Sequence, residues 1–283
     1  MKSVVITGAS SGIGEAIALR LATNGWVVFA GVRNDSDAER LSAQNSAINP
    51  VHIDVTDAAQ IKKVVQTVDR QLDGEKLSGL VNNAGIAQMG PLTLQPLDEI
   101  KAHFEVNVFG AIATCQAFVP LLGQDTDRSG PPGRIVNITS VGGEVASPFL
   151  GAYTATKHAM ESVTDTLRRE LNIFGIDAIA VGPGAIRTPI WDKAQRGGGH
   201  GYEETPWGES LSRFLTMMVQ AGEDGLPPER VAEAVEIALS SDNPDARYAP
   251  VPNKLTNYYL LRGLPKRWVD KIFIDKLGLD RKP

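Results

Sequence analysis

Val4-Val5-Ile6-Thr7-Gly8-Ala9-Ser10-Ser11-Gly12-Ile13-Gly14 stands almost at the start of the chain and decides its fold. Val4, Val5 and Ile6 are a short apolar run with β-branched side chains, the pattern of a strand buried on both faces. Glycines follow at once, spaced G-x-x-x-G-x-G, with a first gap one residue longer than in G-x-G-x-x-G. Residues 15–23 then read as a helix. Ile13, Ile17, Ala18 and Leu21 share one face, and Asn24-Gly25 is its stop. Residues 27–30 are the next strand. Strand, glycine turn, helix, strand is a βαβ unit. Glycines let a backbone approach a pyrophosphate, and the helix start offers free N–H groups and the positive end of its dipole. A tight turn with no ligand is the competing reading; the position directly after the first strand argues against it.

The rhythm continues along the chain. Residues 51–55 read as a third strand, 58–72 as a helix, and 77–81 as a fourth strand ending in Asn82-Asn83-Ala84-Gly85. A long helix spans 97–122 with Asn107 at its middle. Residues 123–133 are a Gly/Pro/Asp-rich surface loop, and 134–139 a fifth strand. A helix over 152–174 carries Tyr153-Thr154-Ala155-Thr156-Lys157. A sixth strand over 176–181 ends in Gly182-Pro183-Gly184. This alternation predicts an α/β fold, a Rossmann-type doubly wound parallel sheet with helices on both faces, joined by right-handed crossovers. Residues 8–14, Asp54, Asn83 to Gly85, Ser140 and residues 183–188 all fall at carboxyl ends of strands, where open α/β sheets bind ligands.

The 283 residues suit one domain, with 1–188 as core, 189–226 as a lid and 254–283 as a helical C-terminal extension. A net charge of -5 argues against general nucleic-acid binding. Cys115 is the only cysteine, so no intrachain disulfide exists; Ala111, Ile112, Phe118 and Val119 around it suggest a buried structural thiol. His52, His103, His158 and His200 are scattered without metal-ligand spacing, and no metal is expected. Asn137-Ile138-Thr139 has the form of a glycosylation site but lies in a buried strand. Strand-like residues follow Met1 almost immediately, with no targeting segment and no apolar run of about 18 residues. The expectation is a cytoplasmic protein without an integral membrane segment.

Tyr153 and Lys157 lie four apart on one face of a helix. An ammonium beside a phenol favours the phenolate, so Tyr153 should titrate below its usual ~10. Such a Tyr can give a proton to a carbonyl oxygen or take one from an alcohol. Ser140, thirteen residues upstream, could hold the same oxygen. Taken together the motifs resemble the short-chain dehydrogenase/reductase family. Residues 7–14 resemble its T-G-x-x-x-G-x-G cofactor turn, and Asn82-Asn83-Ala84-Gly85 its N-N-A-G motif. Asn107, Ser140, Tyr153 and Lys157 resemble its catalytic tetrad. Pro183-Gly184 with Thr188 resembles the segment that closes over the nicotinamide. The match covers residues 1 to about 190.

The resemblance implies roles. Tyr153 is the general acid/base. Lys157 lowers its pKa and bonds the nicotinamide ribose. Ser140 positions and polarises the substrate oxygen, and Asn107 helps hold a water linking Lys157 to solvent. It also implies cofactor contacts from Gly8, Ser10, Ser11, Gly12, Ile13 and Gly14, from Asn83, Ala84 and Gly85, and from Pro183, Gly184, Ile186 and Thr188. Asp54 and Val55 would meet the adenine edge. Taken singly, Ser140 reads as a turn cap, Asn107 as a helix-kink residue and Lys157 as a solvated helix charge. Hydride would pass between nicotinamide and substrate, with Tyr153 and Ser140 stabilising the developing alkoxide.

The end of the second strand bears on NADP(H) against NAD(H). A carboxylate there accepts the ribose hydroxyls, and a basic residue pairs with a 2′-phosphate. The chain reads Ala30-Gly31-Val32-Arg33-Asn34-Asp35: the acidic position is empty and Arg33 follows, favouring NADP(H). Asp35 is the counter-evidence, since a longer turn would bring it to the ribose and admit NAD(H). In the lid, Trp191, Tyr202, Trp207, Leu211, Phe214, Leu215 and Met218 surround the Arg196-Gly197-Gly198-Gly199-His200-Gly201 patch. Large apolar residues there suit a lipophilic alcohol or ketone, or the plain packing of a lid helix. A helix is expected from Pro227-Pro228-Glu229 to about Leu239, and a last strand over 247–251. The tail holds eight Lys or Arg against three Asp, with Tyr258, Tyr259, Trp268 and Phe273 among its aromatic residues. It reads as a cover for the cleft or a neighbouring subunit, as a peripheral membrane contact, or as a solvated extension. Family members are commonly homodimers or homotetramers. The other functional readings are a 3-ketoacyl thioester reductase of the same family and a non-catalytic dinucleotide sensor. The sensor reading is opposed by the presence of both Tyr153 and Lys157.

Overall fold

The computed structural model describes residues 1–188 and 201–280, with the backbone alone for 255–257. Strands β1 (Ser3–Ile6), β2 (Val27–Val32), β3 (Ile48–His52), β4 (Gly79–Asn82), β5 (Arg134–Ile138), β6 (Asp177–Val181) and β7 (Arg247–Tyr248) form one sheet. Their order is β3-β2-β1-β4-β5-β6-β7, and every pairing is parallel. The order reverses direction between β1 and β4, which opens a crevice beyond their carboxyl ends.

Period-two alternation sends successive side chains to opposite faces. Val4 and Ile6 join one core with Ile17 and Leu21 of α1 (Gly12–Thr23), Leu41 of α2 (Asp35–Gln44), and Val231 and Val235 of α8 (Glu229–Ser240). Val5 points the other way. It meets Val64 and Val68 of α3 (Ala58–Leu72) and Phe118 of α5 (Gly110–Val119). The result is helix, sheet, helix, as the alternation predicted.

The structure adjusts several boundaries. β3 pairs over Ile48–His52 rather than 51–55. Pro50 disguised its start, because proline donates nothing to a ladder; an edge strand tolerates it. Helix α2 was not anticipated: of its ten residues only Leu41 is buried, so no apolar stripe marks it. Its signal is the cap, where the Asn34 side chain accepts from the Asp37 N–H at 2.9 Å. The helix expected over 97–122 is α4 (Leu97–Phe104), a π-turn at Glu105–Phe109, α5, and a second π-turn at Pro120–Gln124. The last strand is limited to Arg247–Tyr248 beside Ala180 and Val181. The expectation of no long apolar run is also corrected. The segment Leu97–Gln124 is long and apolar enough to cross a membrane, yet 61% of its apolar window is buried inside the protein, as a core helix would be.

Beyond the sheet, α6 (Gly151–Glu170), α7 (Gly208–Glu223) and α9 (Lys266–Leu277) share a satellite core. Leu211, Phe214 and Leu277 are buried in it with Phe149 and Leu150 from the start of α6, and Tyr153 packs against it. Leu277 is fully enclosed. Leu277→Ala should remove about 2–5 kcal/mol of local stability. Hydrogen exchange should then rise across 266–277 while the sheet amides stay protected.

Candidate active site

The glycine turn is built against the end of β4. Asn83 donates its side-chain N–H to the carbonyls of Thr7, at 3.0 Å, and Gly8, at 2.8 Å. The Thr7 hydroxyl accepts the Asn83 and Ala84 main-chain N–H groups, both at 3.1 Å. Gly8 has φ +64, and a Cβ there would lie 2.8 Å from the Ala84 backbone. A Cβ on Gly14 would lie 2.3 Å from the Gly8 carbonyl and 2.5 Å from the Asn83 amide. Ser11 precedes α1 in extended conformation without a side-chain cap, so no side chain takes the N–H groups of the first turn.

These segments border one cleft of about 280 Å³. Gly8, Ser10, Ser11, Gly12 and Ile13 line it from the turn, Asn83, Ala84 and Gly85 from β4, and Asp54 and Val55 from beyond β3. Pro183, Gly184, Ile186 and Thr188 line the opposite side, with Ser140, Tyr153 and Lys157. Gly14 is the predicted cofactor residue that does not line the cleft; it lies behind the turn, where it lets Gly8 and Asn83 meet. Ile186 is fixed by a bridge to Leu226. Beyond the predicted set, Thr139 and Val106 also line the cleft. Thr139 Oγ is buried and has no partner.

At the end of β2, Gly31 has no room for a side chain, since a Cβ would lie 2.8 Å from the Ile6 carbonyl. Val32 is buried, and Arg33 is exposed at the cleft rim. Asp35 does not line the cleft. It opens α2, 91% exposed, with its carboxylate 3.1 Å from His52. The Asp54 carboxylate accepts from the Thr56 hydroxyl at 2.7 Å and the Thr56 N–H at 2.9 Å. Those bonds, helped by the charge of Arg33, hold it below the usual carboxylate range.

Ser140 lies two residues beyond β5, and its hydroxyl accepts the Gly142 N–H at 3.0 Å, which orients it as a turn cap. Lys157 is 6% exposed and donates to the Ile138 carbonyl at 2.8 Å. Burial lowers its pKa to about 8, against the charge of Glu161, which supports the ammonium. Lys157 Nζ lies 5.6 Å from the centre of the Tyr153 ring. Burial pushes the Tyr153 phenol up, with the Ser140 hydroxyl pulling the other way. This corrects the expected lowering: desolvation of the phenol outweighs an ammonium that is itself engaged with a carbonyl.

Asn107 sits in the π-turn, 3% exposed and outside the cleft lining. Its amide donates to the Ile86 carbonyl at 2.9 Å and the Thr156 hydroxyl at 3.0 Å, and its oxygen accepts the Ile86 N–H at 2.8 Å. It therefore joins the segment after Gly85 to α6, directly beside Lys157. Thr156, one residue before Lys157, had not been singled out. Cys115 is buried as expected, and burial pushes its thiol up to about 12. Trp191 and residues 196–200 of the expected lid lie outside the described residues. Tyr202, Trp207, Leu215 and Met218 pack into the satellite core with Tyr153. Among the described residues no His, Cys, Asp and Glu side chains are grouped to hold a metal ion.

Residues 2–197 match the family described as short chain dehydrogenase. The chain is 36% identical over 278 residues, 98% of both chains, to an NADPH-dependent 3-dehydrocapnine reductase of Ornithobacterium rhinotracheale. It is 32% identical to mouse retinol dehydrogenase 5, over 95% of this chain and 86% of the relative. Among solved structures, a short-chain dehydrogenase from Streptomyces avermitilis superposes with a TM-score of 0.77 at 27% identity, covering 99% of this chain and 98% of that one.

Asn107→Ala would leave the Ile86 backbone groups unpaired. The unfolding free energy in urea should fall by about 2–3 kcal/mol, with the overall secondary structure retained.

Proposed function

As the chain belongs to the short-chain dehydrogenase/reductase family, we propose that it transfers hydride between NADP(H) and a lipophilic ketone or secondary alcohol. The observation that carries this reading is the meeting of Ser140, Tyr153 and Lys157 in one cleft with the glycine turn. The cleft fits a dinucleotide on its own chemistry. Glycines clear its floor, the start of α1 lacks a side-chain cap, and the buried Thr139 hydroxyl lacks a partner. The nicotinamide, when bound, supplies or accepts the hydride.

The residues of the chain do the rest. Tyr153, protonated through burial, gives its proton to the ketone oxygen. Ser140 donates to the same oxygen and stabilises the charge that develops there. Lys157, anchored to Ile138, supplies positive charge beside the phenol and would hold the ribose hydroxyls of the cofactor. Asn107 acts by holding Ile86 and Thr156 in place. A water relay from Lys157 would use main-chain carbonyls of the π-turn, because both amide donors of Asn107 are engaged.

Support for NADP(H) comes from Arg33 at the rim, the closed position at Gly31 and the outward Asp35. The relative named as an NADPH-dependent reductase points the same way. A lipophilic substrate is supported by the satellite core of α7 beside Tyr153 and by the likeness to a retinol dehydrogenase. We further propose that residues 1–280 act as one domain and assemble as a homodimer or homotetramer.

The test is turnover of hydrophobic ketones, retinal and a 3-ketoacyl thioester with NADPH, and of hydroxysteroids and retinol with NADP+. Tyr153→Phe should abolish it. If Tyr153→Phe matched the wild type, the reading would be lost; activity confined to the thioester would replace the substrate class. The reductive kcat/KM should also fall as pH rises through about 8, where the Lys157 ammonium loses its proton. Below that pH the ammonium is charged and the rate should level off. Arg33→Ala should lower kcat/KM for NADPH roughly 10- to 100-fold, the worth of a charge-assisted contact. The value for NADH should change little. An unchanged NADPH preference would remove Arg33 from the assignment.

A further inference from the structure

Arg247 begins β7, and its side chain is 17% exposed. Its Nε donates to both oxygens of Glu161, at 3.1 and 3.2 Å. Nη1 donates to the Tyr258 hydroxyl at 2.6 Å. Nη2 meets a Glu144 oxygen at 3.1 Å and the Ser140 carbonyl at 3.4 Å. The Tyr258 hydroxyl donates to Glu144, whose other oxygen meets Arg262 at 3.0 Å. Gly182, at the end of β6, leaves the space: a Cβ there would lie 2.3 Å from Arg247 Nη2.

The cluster joins four parts of the chain. Ser140 and Glu144 bracket the turn after β5, Glu161 lies one helical turn beyond Lys157, Arg247 belongs to β7, and Tyr258 belongs to the tail. Two guanidinium groups balance two carboxylates. A buried guanidinium is tolerated only when its partners stay in place, so the cluster is held as a unit. Tyr258 is 4% exposed, and burial pushes its phenol up to about 12, so it remains a donor at any working pH.

We infer that Arg247 is a positioning residue for the reacting groups: it ties the main chain of Ser140 and the carboxylate of Glu161 into one frame, which Tyr258 of the tail completes. The inference rests on the reading of Ser140, Tyr153 and Lys157 as the reacting groups. The groups that face Lys157 are the Tyr153 phenol and Glu161 on α6, and the Ile138 carbonyl and Ser140 at the end of β5. Arg247 and Glu144 act on it through Glu161. Arg247 thus partly offsets the carboxylate that supports the ammonium.

The experiment compares pH profiles of kcat/KM for the wild type, Glu161→Gln, Arg247→Met and Tyr258→Phe, with Tyr153→Phe alongside. Glu161→Gln should move the alkaline limb down by about half a unit or more, and Arg247→Met should move it up. Tyr258→Phe should lower kcat about 5- to 10-fold, with KM for the cofactor within about twofold, since both charge-assisted bonds of its hydroxyl to the frame are lost. Arg247→Lys should restore the wild-type limb in part. Amide exchange at residues 141–145 of the cofactor-free protein should rise in Tyr258→Phe, a readout independent of turnover and available if Arg247→Met fails to fold. If Tyr258→Phe changed only the melting temperature, with kcat, limb and exchange as in the wild type, and Tyr153→Phe was dead, the inference would be overturned and the reaction reading kept. If Tyr153→Phe stayed active, the reading would fall first and take the inference with it.

Discussion

The site depends on a cation buried between the end of β5 and α6. The Lys157 ammonium has almost no contact with solvent, and an isolated charge there would be costly. It is kept by the Ile138 carbonyl and by the negative charge of Glu161. A carbonyl is free to accept it because Ile138 is the last residue of β5, where the ladder ends. Two consequences follow at once. The chain leaves β5 at Thr139 and Ser140, which puts the hydroxyl beside the Tyr153 phenol. Tyr153, four residues earlier on the same helix, is brought to the same point.

The same burial acts on Tyr153 in the opposite sense to simple pairing. An ammonium near a phenol lowers its pKa only when it is closer in effect than the loss of water is costly. Here the ring centre is 5.6 Å from Nζ and the phenol is desolvated, so the proton is held. A held proton suits a group that acts first as an acid.

Much of this was legible in the sequence. The alternation of apolar runs with helical periods gave the sheet, because the central strands are buried on both faces and each long helix keeps an apolar stripe. The glycine turn was legible because only glycine fits so close to Ala84 and Asn83. The illegible parts have a common cause. Helix α2 buries one side chain, so composition hid it; the π-turns have no proline or glycine to announce the first of them. The Ile138 carbonyl is main chain and carries no residue signal at all. Arg247 lies 90 residues beyond Lys157, and only the pairing of β7 with β6 brings it under Ser140. Asn107 was found for its place in the tetrad pattern; its hydrogen bonds join Ile86 to Thr156 beside Lys157, and no residue pattern announces those partners.

The tail changes meaning in this light. Its aromatic and apolar residues divide into two sets by exposure. Tyr258, Phe273 and Leu277 face inward, toward the carboxylates or the satellite core, whereas Tyr259, Leu260 and Trp268 remain exposed. Phe273 and Leu277 pack on α7, and α7 packs on the start of α6, where Tyr153 sits. A helix that packs behind Tyr153 needs support on its far side, because an isolated helix is marginally stable. α9 provides that support. The same tail reaches the carboxylates behind Ser140 through Tyr258. One segment thus braces both the satellite core behind Tyr153 and the polar cluster behind Ser140, and this is a physical reason for a chain of this fold to continue past its last strand.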